Sequence, residues 1–207
     1  MQKNYKTFLG WIVWASIIIF LVIHFAIRSY PNRSPWELES LAGDIGYTVT
    51  GVGLLALLFN HLLWRIPFIG RKLHTPNLSG SWKGHGKSSF NNTEYDFTLK
   101  ITQTFLEPHV HGYFEKSQSH SFNGVFVHND TIDQTVFVYS YQNDPKLEYR
   151  NKAEKGEKGG LNIHYGTTKL DIDYEDLTKI AGTYWNDRNC TGEWTLEKIK
   201  KGKEDGK

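Results

Sequence analysis

The chain has 207 residues, 39% of them hydrophobic, and a formal net charge of only +2. A charge so close to zero excludes the broad basic surface of a nucleic-acid binder, so any anion must be met by a local site. The single cysteine, Cys190, excludes an intramolecular disulfide framework and suits a reducing compartment.

Residues 1–7 form a short N-terminal stub. FLGWIVWASIIIFLVIHFAI, residues 8–27, carries no charge and is long enough to cross a bilayer core as a helix. It exceeds the apolar core of a signal peptide, and Arg28-Ser29-Tyr30-Pro31 offers no small-residue cleavage site, so a retained helix is predicted. A connector, 28–44, contains two prolines and leads into a second span, IGYTVTGVGLLALLFNHLLW, residues 45–64. Lys3, Lys6, Arg65, Arg71 and Lys72 flank the outer ends of this hairpin, against Arg28 and Arg33 in the connector. That bias puts both chain ends in the cytoplasm. His24, Asn60 and His61 lie near the interfaces and read as solvated. Gly46, Thr50 and Gly53 share one helix face, a stripe that lets helices approach closely in lipid. It serves either packing on the first span or contact between subunits.

A linker, 65–77, precedes a change of character. From 78 to 200 short alternating runs are separated by turn residues, the pattern of an all-β domain. TEYDFTLKITQTF places Tyr95, Phe97, Leu99, Ile101 and Phe105 on one face. PHVHGYFEK, HSFNGVFVH and TIDQTVFVYSYQ follow, then a charged stretch read as flexible, NKAEKGEKGG. LNIHYG, TKLDIDY, KIAGTYW and TGEWTLEKI complete the set. The expected fold is a membrane α-helical hairpin followed by a small antiparallel β-barrel of about eight strands, lipocalin- or avidin-like. Gly80-Ser81-Trp82 matches the G-x-W opening of lipocalin-like barrels, where the Trp plugs one end. Residues 201–207, Lys-rich, read as a disordered tail.

A two-helix hairpin followed by a β-barrel in about 200 residues, with VYSYQNDPK and the terminal GTYWNDRNCTGEW hairpin, resembles one family. It is similar to the two-transmembrane β-barrel effectors of bacterial CBASS anti-phage systems, the CD-NTase-associated class. The resemblance covers essentially the whole chain. It implies a receptor in the bacterial inner membrane for a cyclic dinucleotide made by a partner nucleotidyltransferase. Ligand binding would promote homo-oligomerisation, and the membrane segments would then disrupt the bilayer. The resemblance implies no cofactor and no DNA or RNA polymer as partner.

Such a ligand needs one or two Arg or Lys for its phosphates, best as bidentate Arg, aromatic faces for its bases and amide or hydroxyl groups for base edges. Tyr139 and Tyr141 are two apart and share a strand face; the alternative is that they cover the barrel. Asn143 and Asp144 end the same run, where a mouth would be. Arg150 is the only arginine between Arg71 and Arg188. Tyr184, Asn186 and Arg188 alternate into a turn, and Thr191 starts the returning strand. Arg188 has three readings: ligand contact, plug over Trp82, or solvated turn residue. His109 and His111 share a face, but the sequence fixes no third ligand, so no metal is expected. The carboxylates Asp171, Asp173, Glu175 and Asp176 read as an outer surface. No catalytic motif is present, and an enzyme is not expected. The alternative function is a membrane-tethered, lipocalin-like carrier of an apolar ligand.

Overall fold

A computed structural model describes residues 3–28, 38–90 and 92–200. Much of the expected connector, with Tyr30 and Trp36, and the 201–207 tail lie outside the described residues. The chain forms two units, 1–73 and 74–207.

The first unit contains α1 (Lys3–Arg28), α2 (Leu38–His61) and a short helix α3 (Pro67–Lys72). Two stretches, Lys6–Phe25 and Ala42–Arg65, are long and apolar enough to be candidate membrane spans, and few of their residues are buried within the chain. α1 and α2 pair antiparallel. At one end Phe8 lies on Phe59, with ring centroids 4.9 Å apart. At the other, His24 Nδ1 is 2.9 Å from Asp44 Oδ2, and both side chains are largely shielded. This corrects the reading of His24 as solvated, and the second helix begins at Leu38, ahead of the expected Ile45. Asp44 reads as a boundary by its charge alone; paired with His24, the carboxylate is tolerated inside the helix. Gly51 is the glycine that meets the first span, against Ile19, whereas Gly46, Thr50 and Gly53 face away from it. The small-residue stripe makes no such contact with the described side chains of α1.

The second unit is a closed eight-stranded antiparallel barrel, each strand paired with its sequence neighbours and β8 returning to β1. The strands are β1 (Gly80–Ser88), β2 (Glu94–Gln103), β3 (Pro108–Tyr113), β4 (Ser117–Asn129), β5 (Gln134–Pro145), β6 (His164–Ile172), β7 (Lys179–Asn186) and β8 (Thr191–Lys198). Two expectations change. NKAEKGEKGG is not wholly flexible chain, because a helix, α4 (Leu147–Glu154), runs into it. LNIHYG and TKLDIDY are parts of the single strand β6. A bulge between Ser121 and Asn123 moves β4's inward positions from odd to even numbers, which carries Phe126 into the core.

One end of the barrel is sealed. Trp82, wholly buried, donates from Nε1 to the Leu78 carbonyl at 2.9 Å. Gln103 accepts from the Leu78 N–H at 2.9 Å and donates to the Pro76 carbonyl at 3.0 Å. The Lys198 ammonium lies 5.2 Å from the Trp82 ring centroid. Lys198, not Arg188, is thus the cation over the plug. Above it Leu99, Ile101, Phe137, Leu170 and Leu196 fill the interior.

Each large ring toward the other end lies over a glycine on the neighbouring strand. Gly84 pairs with Phe97, Gly86 with Tyr95, Gly166 with Tyr141 and Gly192 with Tyr184. A Cβ at Gly84 would overlap the Phe97 ring. Gly84→Ala is therefore expected to destabilise the barrel by about 1–3 kcal/mol through overpacking, seen as a lower thermal midpoint by circular dichroism. An unchanged midpoint would mean that Phe97 does not cross the barrel at this level.

Candidate functional site

The open end, where β1, β3, β5 and β7 finish, holds a cavity of about 750 Å³, within the ordinary size range of small-molecule sites. Strand alternation brings Tyr95, Tyr141, Tyr184 and Trp194 to it from four strands, and Phe114 joins them from the β3–β4 turn. Phe97 packs against this group, 5.2 Å from Phe114 and 4.6 Å from Trp194 between centroids. Tyr184 is 5.2 Å from Trp194. The result is an aromatic cup on a packed floor.

Its polar atoms are mostly neutral. Trp194 Nε1 donates to the Tyr95 hydroxyl at 2.8 Å. Burial, then a hydrogen bond with Tyr184, pushes the Tyr95 pKa well above the ordinary phenol range. Burial also raises Tyr141, against the opposing hydrogen bond from Asn186. These phenols carry no charge at neutral pH and remain hydrogen-bonding groups. Asn143 also lines the cup, and its Oδ1 is buried without a hydrogen-bond partner. A buried carbonyl oxygen without a partner costs free energy, which a water or a ligand donor in the cup would recover.

The rim is mixed in charge. Glu94, Asp96 and Glu115 face Lys116, His85 and His164. His85 Nδ1 sits 2.9 Å from Asp96 Oδ1, a bond that holds the Asp96 pKa below the usual carboxylate value. The His164 pKa is lowered first by burial; a bond to the Asn162 carbonyl opposes this, while the nearby charge of Arg188 adds to it. A lowered histidine pKa leaves His164 largely neutral at pH 7.

A second concavity of about 770 Å³ lies along β8 and its neighbours, lined largely by charged residues such as Lys83, Asp96, Lys179 and Glu197. It has no Phe, Tyr or Trp in its lining. The aromatic faces and the orphaned amide oxygen both belong to the mouth.

The structure gathers some of the expected site residues and separates others. Tyr141, Asn143, Tyr184 and Asn186 all line the cup. Tyr139 shares their face but is 2% exposed and lies outside the lining, in the packed layer with Phe137. Asn143 points inward near the C-terminal end of β5, at the mouth. Arg150 sits on α4 and donates from Nη2 toward the Pro145 carbonyl at 3.5 Å, outside the lining. Arg188 is an exposed turn residue whose N–H donates to Asn186 Oδ1 at 3.1 Å. It is at the end opposite Trp82, because β1 pairs Trp82 with Lys198 and Ser88 with Gly192. Thr191 is exposed and pairs with outward Trp185, so it does not line the cup either. Asn189, with φ 56°, takes the left-handed turn that breaks the alternation. Sequence reasoning missed Tyr95, Phe114, Lys116, His164 and Trp194. Tyr95 and Trp194 stood on the apolar faces of their strands; nothing in sequence marked them as rim and not floor. His109 and His111 share the outer face as expected, and among the described residues neither belongs to a three-ligand group. The 171–176 carboxylates lie outward or in turns, with Asp171 paired to Lys169 at 3.0 Å.

Residues 73–198 match the family described as Cap15, cyclic dinucleotide receptor domain. The chain is 28% identical over 193 residues to a CD-NTase-associated protein 15 of Yersinia aleksiciae, covering 89% of this chain and 87% of that one. A CD-NTase-associated protein 15 of Staphylococcus schleiferi is 23% identical over 186 residues, covering 87% and 92%. Among solved structures, a redesigned β-barrel bound to DFHBI aligns with 58% of this chain and 94% of its own at 8% identity, with a TM-score of 0.41. That last likeness carries no argument about a ligand.

Tyr95→Phe removes the acceptor of the Trp194 indole N–H while keeping the ring. Leaving that buried donor unpaired is expected to cost about 1–3 kcal/mol, measured by urea unfolding followed through tryptophan fluorescence. Unchanged stability would mean the indole finds another acceptor.

Proposed function

The chain belongs to the Cap15 cyclic dinucleotide receptor family, the CD-NTase-associated effectors of CBASS defence, and from that premise we propose that the open mouth of its barrel is where the cyclic dinucleotide binds. One observation carries this reading: a cup of aromatic rings from four strands and a turn encloses the unpartnered Asn143 Oδ1. Tyr141, Tyr184 and Trp194 offer faces for the two bases, a contact worth about 1–3 kcal/mol per base. Asn143 Oδ1 accepts from an exocyclic amine or ring N–H at a base edge. Asn186 cannot use Oδ1 so freely, since it already accepts from the N–H groups of Arg188 and Cys190, both at 3.1 Å. Lys116 and protonated His164 answer the phosphates. Receptor action, without catalysis, is the role these groups support.

Ligand binding is proposed to be coupled to assembly in the membrane, with both chain ends in the cytoplasm. Gly46, Thr50 and Gly53 are exposed on α2, and an added Cβ at either glycine would meet nothing within 4 Å. That leaves a smooth helix face for a second copy in the bilayer. The ligand drives assembly only by its preference for the assembled state, and identical sites on one oligomer add their preferences. Disruption of the bilayer follows from the assembled helices. The carrier reading is disfavoured by a barrel interior filled with Leu99, Ile101, Phe137 and Leu196.

Calorimetric titration of the full-length protein in detergent against a panel of cyclic dinucleotides tests the receptor site. One saturable binder is expected, and Asn143→Ala should weaken it about tenfold, ~1.4 kcal/mol, with little change in thermal midpoint. Full affinity in Asn143→Ala would remove the mouth from consideration.

Affinity should also rise as pH falls from about 8 to about 6. The free site holds the His164 pKa below its ordinary value, a bound phosphate raises it, and binding then takes up a proton. His164→Gln should flatten that dependence; a dependence kept in the variant would assign the proton elsewhere. In vesicles loaded with a quenched dye, Gly46→Leu and Gly53→Leu should retain ligand binding and lose ligand-triggered leakage. Leakage undiminished in both would exclude the glycine face as the assembly surface.

A further inference from the structure

At the sealed end, far in the strand register from the mouth, four side chains with metal-binding chemistry meet. His128 ends the inward row of β4, and its side chain is only 6% exposed. Thr135 Oγ1, buried on β5, lies 3.0 Å from His128 Nδ1 and fixes the ring, so that Nε2 is the nitrogen turned toward the β4–β5 turn. There Nε2 is 3.4 Å from Asp130 Oδ1 and 3.7 Å from Asp133 Oδ1. The His74 imidazole lies against the His128 ring, with centroids 3.5 Å apart and planes 13° from parallel. One ligating atom each from His74, His128 and Asp130 falls within 4.8 Å of the others.

We propose that His74, His128 and Asp130, with Asp133 as the fourth ligand, form a binding site for a late first-row divalent cation, zinc foremost. The donor set is two imidazoles and two carboxylates, borderline nitrogen and hard oxygen, which suits zinc and its neighbours better than magnesium or calcium. Its two negative charges balance a divalent ion. A tetrahedral ion with bonds of about 2.0–2.2 Å needs ligand atoms about 3.3–3.6 Å apart. The His128–Asp130 separation already has that length, and the Asp133 separation is close to it. Stacked rings hold their in-plane lone pairs in separate parallel planes, so closure on one ion requires the His74 ring to tilt out of the stack. The Thr135 contact on His128 Nδ1 is the kind of outer partner that sets the tautomer and orientation of a ligating histidine.

His74 and Asp133 both have left-handed backbone, φ 51° and 48°, while the other non-glycine residues with positive φ among those described are asparagines. Asn, Asp and His are the side-chain-bearing residues that take this conformation most readily. The two turns aim His74 and Asp133 at one site. The ion would tie the first residue of the barrel unit, His74, to the turn between β4 and β5.

The test uses full-length protein in detergent, stripped with a chelator and titrated with cobalt(II), a coloured reporter, then with zinc. Expected are one cobalt per chain, the strong visible bands of a four-coordinate nitrogen–oxygen site, and displacement by zinc. Zinc should raise the thermal midpoint of the wild type. His74→Gln and Asp130→Asn, both at positions that spare the buried His128–Thr135 contact, should each weaken binding by tenfold or more and lose the thermal shift. His109→Gln should change neither. Absence of stoichiometric binding in the wild type would overturn the proposal, and so would undiminished binding in His74→Gln and Asp130→Asn.

Discussion

An eight-stranded barrel is too narrow to accept a large ring from every strand at one level. Here the conflict is resolved by glycine. Phe97, Tyr95, Tyr141 and Tyr184 each cross the interior over a glycine of the adjoining strand, and added Cβ atoms at Gly86, Gly166 and Gly192 would collide with the rings above them. The pairs let the rings lean across the bore, where they pack edge and face against Trp194 and Phe114. Below this level aliphatic residues and Trp82 close the interior. Above it the rings stop short of filling the bore, and the cup remains. The same small-against-large pairing that lets the barrel fold therefore sets the depth of its mouth.

As the proposed site, the cup would meet an anionic ligand without a ring of fixed positive charge. Arg150 and Arg188 stand outside it, the tyrosines are held neutral by burial, and three rim carboxylates offset Lys116. Phosphate alone therefore has little electrostatic reason to bind. On the proposed reading, affinity would come from stacking and from the satisfaction of Asn143, which favours a ligand with flat bases over an inorganic or polymeric anion. In the helical unit aromatic packing holds α1 and α2 at one end and the His24–Asp44 pair at the other, while the glycine face stays outward.

Much of the fold was legible because strand and helix periods are local. The two long apolar helices, the shared face of Tyr139 and Tyr141, the Trp82 plug and the outward 171–176 carboxylates all follow from charge and alternation. The departures have local causes. A run rich in Lys, Glu and Gly hid the end of α4, the left-handed Asn189 reversed the alternation before Thr191, and a paired carboxylate made α2 look shorter than it is. The candidate site was half legible. Tyr141, Asn143, Tyr184 and Asn186 come from two strands singled out by their composition. Tyr95, Phe114 and Trp194 meet them only through closure of β8 onto β1 and the stagger of the strands, which no local pattern encodes. The His74–His128 contact is long-range in the same way.

The central claim is that the ligand enters the open mouth and leaves the Trp82 end untouched. Hydrogen exchange followed by mass spectrometry, with and without saturating cyclic dinucleotide, tests it most directly. The account predicts ligand-dependent protection in peptides containing Tyr95, residues 114–117, Tyr141 to Asn143 and Tyr184 to Asn186, and none around Leu78–Trp82 or the β4–β5 turn. Protection concentrated at the Trp82 end, with the mouth unchanged, would contradict it.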